Sequence, residues 1–290
     1  MNEISYKNKV DVISQSLPYI QKFHGKTIVI KYGGNAMTDI ALQNSVARDI
    51  VLLKLIGIKP VIVHGGGPQI NDTLQKVGKR GNFIDGIRIT DSETMEIVEW
   101  ILCGQIQQKI VAMINNSGAK AVGVSGKDGC LIKAQKKFIT STNNKPIDIG
   151  YVGDILSIDI QIIRTLQDGG FVPVISPIGY GEDGNSYNIN ADTVAGKIAE
   201  SLKAEKLIMM TNTDGLLDKN KSLISEIHIN SLEELFANGT ITGGMMPKIY
   251  SSIEAIKKGT NSVHIINGTI KHCLILEMLT DEGIGTMIYS

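Results

Sequence analysis

The chain has 290 residues, 42% of them hydrophobic, and its 29 basic residues balance 29 acidic ones. This length predicts about two domains or one large α/β unit with a sizeable core. Zero net charge argues against a general nucleic-acid or membrane-surface binder, because neither gains from a neutral field. Cys103, Cys130 and Cys273 are widely spaced, which disfavours a disulfide framework and a zinc site.

The N-terminus, MNEISYKNKVDVISQSLPYI, lacks the apolar centre and the small-residue cleavage pattern of a signal peptide. No apolar run approaches the ~20 residues that a membrane-spanning helix requires. We therefore expect a cytoplasmic protein, or a protein of the plastid stroma if a plastid encodes it. Residues 9–24 form an amphipathic segment with Val10, Ile13, Leu17 and Ile20 on one stripe. This extra N-terminal helix either folds back on its own domain or pairs with another subunit.

Short apolar runs alternate with helical patterns along the rest of the chain. Strands are predicted at 27–31, 60–64, 121–125, 171–176, 206–211 and 262–266. Helices are predicted at 39–56, from about 92 to Gly118, at 191–202 and at 245–258, with a Thr90–Glu93 capping box opening the second. This order predicts an α/β fold with an open, mainly parallel central sheet sandwiched by helices.

Two regions depart from that alternation. Residues 127–157 contain the turn sequences KDG and NNKP and predict antiparallel hairpins, and GEDGNSYN at 181–188 predicts a further turn. We place the boundary between two lobes near residue 180, so that residues 1–180 and 181–290 form the two units.

Two glycine-rich loops follow predicted strands and precede helices. They contain Gly33-Gly34 and Gly65-Gly66-Gly67, and Lys31 ends the first of these strands. Bare backbone N–H groups and a helix N-terminus suit anion binding, although a lone Gly-Gly pair is more often a tight turn. The P-loop motif, the dinucleotide fingerprint and the protein-kinase motifs are missing from the sequence.

Three later stretches add polar groups. SYNINADTVAGKIA, from residue 186, places Asn188, Asn190 and Asp192 ahead of a helix, and one of the last two is expected to cap it. MTNTDGLLD, from residue 210, suits ribose or adenine contacts, or is a plain turn between a strand and a helix. GTITGGMMPKI, from residue 239, places Lys248 near a helix start, either facing anions or in solvent.

Together these stretches resemble the amino acid kinase family from about residue 17 to the C-terminus. KYGGNAM, VHGGGPQIN, DGIRIT, NINADTVAGKIAE, TGGMMPKI and TDEGIGTMI occur in the family's order and at its spacing. The resemblance implies the family's fold. It also implies transfer of a phosphoryl group from ATP, with Mg²⁺ carried by the nucleotide, to the γ-carboxylate of N-acetyl-L-glutamate. That reaction belongs to arginine biosynthesis.

Site residues carry over from the family position by position. Lys31 and Lys248 would stabilise the transferring phosphoryl group, and Asp192 would hold both lysines. Gly34, Gly66 and Gly67 would present N–H groups to phosphate and substrate. Arg88 and Asn188 would fix the substrate's α-carboxylate. The residues implied on the nucleotide side are Gly33, Thr211, Asn212, Asp214 and Gly215. The first lobe would bind acetylglutamate and form the dimer contact, and the second would bind the nucleotide.

The resemblance also implies regulation. Arginine-inhibited members carry a helix before the first strand, and these helices link dimers into a hexamer, a trimer of dimers. The positions that match their arginine site are His264, Glu277 and Gly283. Similar enzymes of photosynthetic lineages are controlled by the PII signalling protein, which nothing local in the sequence establishes.

Elementary chemistry agrees with this assignment. A γ-carboxylate has a pKa of ~4.3 and is already ionised at neutral pH, so it needs no general base. The obstacle is bringing this anion against a triphosphate, and phosphoryl transfer is catalysed mostly by positioning and charge stabilisation. Paired lysines and glycine amides meet that need, whereas His64 is expected to be structural. The planar fork of Arg88 suits a carboxylate better than a lysine would.

Two alternatives stay open at this point. N-acetyl-α-aminoadipate differs from the expected substrate by one methylene, which changes binding by only ~1–3 kcal/mol. A catalytically silent ligand-binding or regulatory subunit would keep the glycine loops and lose the charged set. The presence of Lys31, Asp192 and Lys248 argues against that second alternative.

Overall fold

The structure is a computed structural model that describes residues 6–84, 86–140, 146–281 and 283–290, with the backbone alone for residues 6–12 and 140. Asp85 of DGIRIT, residues 143–145 of the predicted hairpin turn and Glu282 of TDEGIGTMI lie outside the described residues. The side chain of Val10, from the predicted N-terminal stripe, also lies outside the described part.

The described chain alternates strands and helices in the predicted order. The strands are β1 Thr27–Tyr32, β2 Lys59–His64, β3 Phe83–Ile84, β4 Ile87–Arg88, β5 Ala121–Ser125, β6 Ile132–Thr140, β7 Pro146–Ile158, β8 Val172–Ser176, β9 Ile178–Tyr180, β10 Ser186–Asn188, β11 Lys206–Thr211, β12 Glu226–His228, β13 Ser262–Asn267 and β14 Thr286–Tyr289. The helices are α1 Tyr6–Phe23, α2 Ile40–Leu55, α3 Gly67–Lys76, α4 Ser92–Glu99, α5 Gln107–Asn116, α6 Gln161–Asp168, α7 Ala191–Leu202, α8 Leu232–Ala237, α9 Met245–Lys257 and α10 Cys273–Leu279.

Eight strands form one central sheet in the order β12-β14-β13-β11-β1-β2-β8-β5. The ladders from β13 to β5 are all parallel, and β14 pairs antiparallel with β13. The prediction of a mainly parallel sheet is therefore confirmed. The chain leaves β1 toward β2 on one side, while β11 occupies the other side. This is a topological switch point, where open α/β sheets bind ligands at the carboxyl ends of their strands.

The strands of the central sheet bury both faces. In β1, Ile28 and Ile30 pack into one apolar cluster, which includes side chains of α2, α5 and α10. Val29 packs into a second cluster with side chains of α7 and α9. Successive side chains of a strand point to opposite faces, so the two clusters lie on opposite faces of the sheet and helices cover both.

The antiparallel region forms a second, smaller sheet. Strands β6 and β7 pair antiparallel, as predicted for residues 127–157, and β10, β7, β6 and β9 close into a barrel. Of the predicted turn at 181–188, residues 181–185 connect β9 to β10, and residues 186–188 form β10, which pairs antiparallel with β9. The division into two lobes near residue 180 stays a prediction.

By length and composition alone, the helical stretch Ser92–Asn116 is long and apolar enough to cross a membrane. Its middle, Trp100–Ile106, is a π-helical segment that interrupts the regular helix. The apolar side chains of Val98, Leu102 and Ile110 are buried in the first apolar cluster. The stretch is therefore packed as a core helix.

The predicted Thr90–Glu93 capping box is wrong. Asp91 is the N-cap of α4, and its carboxylate accepts a hydrogen bond of 2.8 Å from the backbone N–H of Thr94. The hydroxyl of Thr90 donates instead to the carbonyl of Arg88, and Glu93 pairs with Lys79. An aspartate is as good an N-cap as a threonine or better, so the acidic residue one position later takes the role.

Candidate active site

A cavity of about 460 Å³ opens beside β1, at the carboxyl ends of the sheet strands. Its walls come from the glycine loop after β2, the β3–β4 hairpin, β7 and the start of α7. Six of the predicted site residues line it: Lys31, Gly66, Gly67, Arg88, Asn188 and Asp192. The structure thus brings together the residues that the sequence assigned to the substrate. It also brings to the cavity two members of the charged triad Lys31, Asp192 and Lys248, namely Lys31 and Asp192.

Strand alternation explains where Lys31 points. It lies two residues after Val29 and therefore faces the same side of the sheet, toward α7 and α9. Asp192 lies in the first turn of α7, and Asn190 caps that helix by accepting from the N–H groups of Asp192 and Thr193. Lys248 lies in the first turn of α9. Three separate elements therefore present these charges to one point.

The carboxylate of Asp192 lies between the two ammonium groups. Lys248 Nζ is 2.5 Å from Oδ2, and Lys31 Nζ is 3.0 Å from Oδ1, off the hydrogen-bonding direction. The side chains of Lys31 and Asp192 are only 11% and 7% exposed. One carboxylate shared by two ammonium groups leaves one positive charge without a protein counterion within this triad.

Burial and charge oppose each other at this triad. Burial alone would raise the pKa of Asp192, but the two neighbouring lysines hold that pKa below its ordinary value. Burial lowers the pKa of Lys248, and the charge of Lys31 adds to that effect while Asp192 opposes it. The carboxylate is thus ionised at neutral pH and can orient both lysines.

The first glycine loop is shaped by two close approaches. A Cβ atom at position 33 would lie 2.8 Å from the ammonium nitrogen of Lys31, so only glycine leaves that group its place. Gly34 has φ +69°, and a Cβ there would lie 2.5 Å from the side-chain oxygen of Asn212. That oxygen accepts a 2.8 Å hydrogen bond from the backbone N–H of Asn35. Asn212 therefore joins the loop after β11 to the first glycine loop.

The remaining predicted nucleotide-side residues lie at the end of β11 and in the loop after it. The hydroxyl of Thr211 donates to the carbonyl of Thr213 at 2.7 Å, and Asp214 accepts from the amide of Asn267 at 2.7 Å. Gly215 has φ +145° and closely approaches Thr286. None of these residues lines the cavity of about 460 Å³. They form a second group of site residues. Asn212 connects this group to the first glycine loop, at Gly34 and Asn35.

Arg88 and Asn188 are linked by Thr90, which the sequence pattern assigned to a helix cap and not to the site. The amide of Asn188 donates to the hydroxyl of Thr90 at 3.3 Å, and that hydroxyl donates to the carbonyl of Arg88 at 3.0 Å. Thr90 is fully buried. Its position in DGIRIT, two residues after the arginine, is the signal that points to it.

The predicted effector residues form a third group, away from the cavity lining. His264 and Glu277 share a short hydrogen bond between Nδ1 and Oε1, and both side chains are buried. A Cβ atom at Gly283, which has φ +58°, would lie 3.2 Å from Glu277 Oε2. The structure therefore brings all three together.

Two further residues, which sequence reasoning missed, belong beside this third group. Burial lowers the pKa of Lys206 to about 8, and the charge of Glu277 opposes this shift. The hydroxyl of Tyr19 in α1 donates to Asp281 near the C-terminus. The N-terminal helix thus reaches the C-terminal region of its own chain. Lys206 is the first residue of an apolar strand, and this position gave no sign of its buried contacts.

The comparisons with known proteins agree with this geometry. The model of the amino acid kinase family matches residues 26–267. An acetylglutamate kinase of Bordetella petrii is 62% identical over 97% of this chain and 95% of its own length. An acetylglutamate kinase of Polaromonas sp. is 56% identical over 100% of this chain and 96% of its own length.

A solved structure has the same fold over almost the whole chain. It is N-acetylglutamate synthase from Neisseria gonorrhoeae in complex with coenzyme A and N-acetyl-glutamate, with a TM-score of 0.86 and 25% identity. The match covers 99% of this chain and 64% of the synthase chain. The family model spans both glycine loops, the aspartate and both lysines of the triad. This chain therefore belongs to the amino acid kinase family.

Proposed function

We propose that this protein phosphorylates the γ-carboxylate of N-acetyl-L-glutamate with ATP, giving N-acetyl-L-glutamyl 5-phosphate and ADP in arginine biosynthesis. The observation that carries this proposal is the Lys31–Asp192–Lys248 triad. It lies beside a cavity lined by a buried arginine, Arg88, that forms no ion pair with any described residue. Two curated relatives at 56% and 62% identity have the name acetylglutamate kinase and match over nearly their whole length.

The residues act by charge and position. The ionised acceptor carboxylate and a phosphate chain repel each other, and Lys31 and Lys248 lower that repulsion from the protein side. Asp192 fixes the two ammonium groups, so that they need not reorganise during transfer. Arg88 binds the α-carboxylate, with Asn188 and Thr90 completing that end of the cavity. The acceptor thus meets the triad with its γ-carboxylate.

ATP and Mg²⁺ fit the donor side. Gly33 and Gly34 have no side chain that would separate their backbone N–H groups from an anion. Within the described triad, two ammonium groups share one carboxylate, which leaves one positive charge in excess. Magnesium ions keep several waters and use substrate phosphates as ligands. We propose that the ion arrives on the nucleotide, where it neutralises phosphate charge, and that Thr211, Asn212, Asp214 and Gly215 contact the nucleotide.

The test measures ADP release with four acceptors: N-acetylglutamate, glutamate, aspartate and N-acetyl-α-aminoadipate. Hydroxylamine added to the reaction traps an acyl phosphate as the hydroxamate, which separates acceptor phosphorylation from ATP hydrolysis. We expect N-acetylglutamate to give the highest kcat/KM. A higher value with N-acetyl-α-aminoadipate would move the protein to lysine synthesis, and no hydroxamate with any acceptor would support a silent subunit.

We also propose that L-arginine inhibits the enzyme at the group formed by His264, Glu277 and Gly283. Glu277 is buried and ionised, with a pKa held below its ordinary value by His264 although burial opposes this shift. A buried carboxylate of this kind suits a guanidinium. Titration with arginine up to millimolar concentration tests this: unchanged activity would exclude it. Assembly into a hexamer, control by the PII protein and the cytoplasmic location stay predictions.

A further inference from the structure

Among the described residues, no carboxylate forms an ion pair with Arg88. The residue is 7% exposed, and burial alone lowers its pKa. Its Nη2 donates a long hydrogen bond of 3.4 Å to the carbonyl of Gly67, and its buried Nη1 has no partner in the described part of the chain. One weak hydrogen bond does not fix the orientation of a guanidinium, so something else must.

The face of Phe83 lies against that guanidinium. Arg88 Cζ is 4.6 Å from the centroid of the Phe83 ring. The contact follows from the register of the β3–β4 hairpin, in which these two residues are direct cross-strand partners. Opposed side chains of an antiparallel pair lie on the same face and interact. A Cβ atom at Gly81 would lie 2.4 Å from Nη1, so the backbone limits the guanidinium on a second side.

Stacking on an aromatic ring and pairing with a carboxylate differ in which N–H groups of the guanidinium remain free to bind a substrate. A carboxylate would occupy the N–H groups in the guanidinium plane and neutralise its charge. An aromatic ring contacts the face of the plane and leaves those N–H groups free for a planar carboxylate. Phe83 is 49% exposed and lines the cavity together with Arg88.

We propose that Phe83 is a positioning residue, which holds the Arg88 guanidinium edge-on to the cavity for the α-carboxylate of the acceptor. This inference rests on the proposed function. Phe83 acts through Arg88 and does not touch the phosphoryl group. Its loss should therefore weaken acceptor binding and leave the transfer step and the nucleotide unaffected.

The central variant is Phe83→Leu, which keeps an apolar side chain and removes the aromatic face. We expect the KM for N-acetylglutamate to rise about 3- to 30-fold, the range of a cation–π contact from exposed to desolvated. The kcat and the KM for ATP should stay within about twofold of wild type. Phe83→Tyr and Phe83→Trp keep the aromatic face and should restore most of the KM.

Phe138→Leu is the matched control. Phe138 is 54% exposed, lies in strand β6 and has the ammonium group of Lys136 5.7 Å from its ring centroid, but it does not line the cavity. We expect this variant to keep the wild-type KM. A general loss of stability from removing an exposed phenylalanine would affect both variants.

A double-mutant cycle with Arg88→Lys identifies the path of the effect. A lysine loses the planar stacking, so Phe83→Leu should change the KM much less in the Arg88→Lys background than in wild type. Equal effects in both backgrounds, or a KM shift below about twofold in Phe83→Leu alone, would overturn the inference while leaving the function intact. A wild-type protein that does not phosphorylate N-acetylglutamate would overturn the function and the inference with it.

Discussion

At the scale of single residues, the triad gives the sharpest prediction for catalysis. Lys31→Met keeps most of the unbranched side chain and removes one of the two charges that face the transferring group. We expect kcat to fall roughly 10²- to 10³-fold, as when one preorganised donor is removed from a developing charge. Asp192 keeps its contact with Lys248 in this variant, so the fold should persist, which circular dichroism checks.

Lys197→Met is the control for that variant. Lys197 lies on α7 and pairs with Glu200 and Glu254 at the surface. It carries the same charge and similar ion pairs, but it lies outside the cavity lining. We expect nearly normal turnover from this variant. A folded Lys31→Met protein with a near-normal rate would refute the role of the triad.

His64 gives a prediction on acid stability. Its ring is fully buried, with Nε2 3.1 Å from the hydroxyl of Ser176, and burial lowers its pKa from 6.5 to about 4. Between pH 6.5 and about 4, the His64 side chain is therefore protonated in the unfolded state and neutral in the folded state. The contribution of His64 is complete above pH 6.5 and decreases as the pH falls toward 4. The loss amounts to about 3 kcal/mol of unfolding free energy.

Urea unfolding at pH 7, 5 and 4 measures this loss. Other buried groups titrate too, so the informative quantity is the difference in pH dependence between wild type and His64→Gln. The glutamine side chain does not titrate in this range. Between pH 7 and pH 4, the unfolding free energy of His64→Gln should therefore fall by about 3 kcal/mol less than that of wild type, whatever the stability of the variant at pH 7. Parallel curves for the two proteins would contradict the assignment of this titration to His64.

At the scale of elements, the N-cap of α4 is the first target. Asp91→Ala removes the acceptor for the Thr94 N–H, which should lower the unfolding free energy by about 0.5–2 kcal/mol. Asp91→Asn keeps the cap and removes the charge that faces Lys79. Because that ion pair is exposed, we expect the asparagine variant to keep most of the stability. Equal losses in both variants would mean that the ion pair, not the cap, carries the effect.

The elements also show how far sequence reasoning reaches. Strands β5 and β11 and helix α7 begin and end at the predicted residues, because apolar runs bounded by polar residues and glycine specify buried strands, and the Asn190 cap specifies the helix start. The π-helical segment Trp100–Ile106 was not predicted. The apolar spacing continues through it, and the shift in hydrogen bonding depends on packing that no local pattern encodes.

The same limit applies to the candidate site. The three charged residues Lys31, Asp192 and Lys248 lie on separate elements. Only the resemblance to the family predicted that they meet. The stack of Phe83 on Arg88 depends on the register of a two-residue hairpin, which the sequence leaves undetermined. The buried contacts of Lys206 depend on α1 and α10, which are distant in the chain. Motifs predict which residues meet, and side-chain packing decides how they are held.

At the scale of the whole molecule, the C-terminal end of α1 packs on its own chain, and pairing of α1 with another subunit stays a prediction. Phe23, at that end, is 1% exposed and lies in the first apolar cluster. Farther toward the N-terminus, Ile13 is 72% exposed and Leu17 is 53% exposed. One end of the helix is thus anchored, and Ile13 and Leu17 next to it are left exposed by the described part of the chain. This arrangement supports the prediction that α1 pairs with a second copy of the protein.

The double variant Ile13→Asp, Leu17→Asp tests that pairing. Two charges on the stripe would be buried without partners in an interface, so we expect a smaller assembly than wild type, measured by light scattering after gel filtration. Basal turnover should persist, because neither residue lines the cavity. Ile40→Asp is the control, since Ile40 is 71% exposed and lies at the start of α2. An unchanged mass for the double variant would exclude α1 as the contact that holds the assembly together.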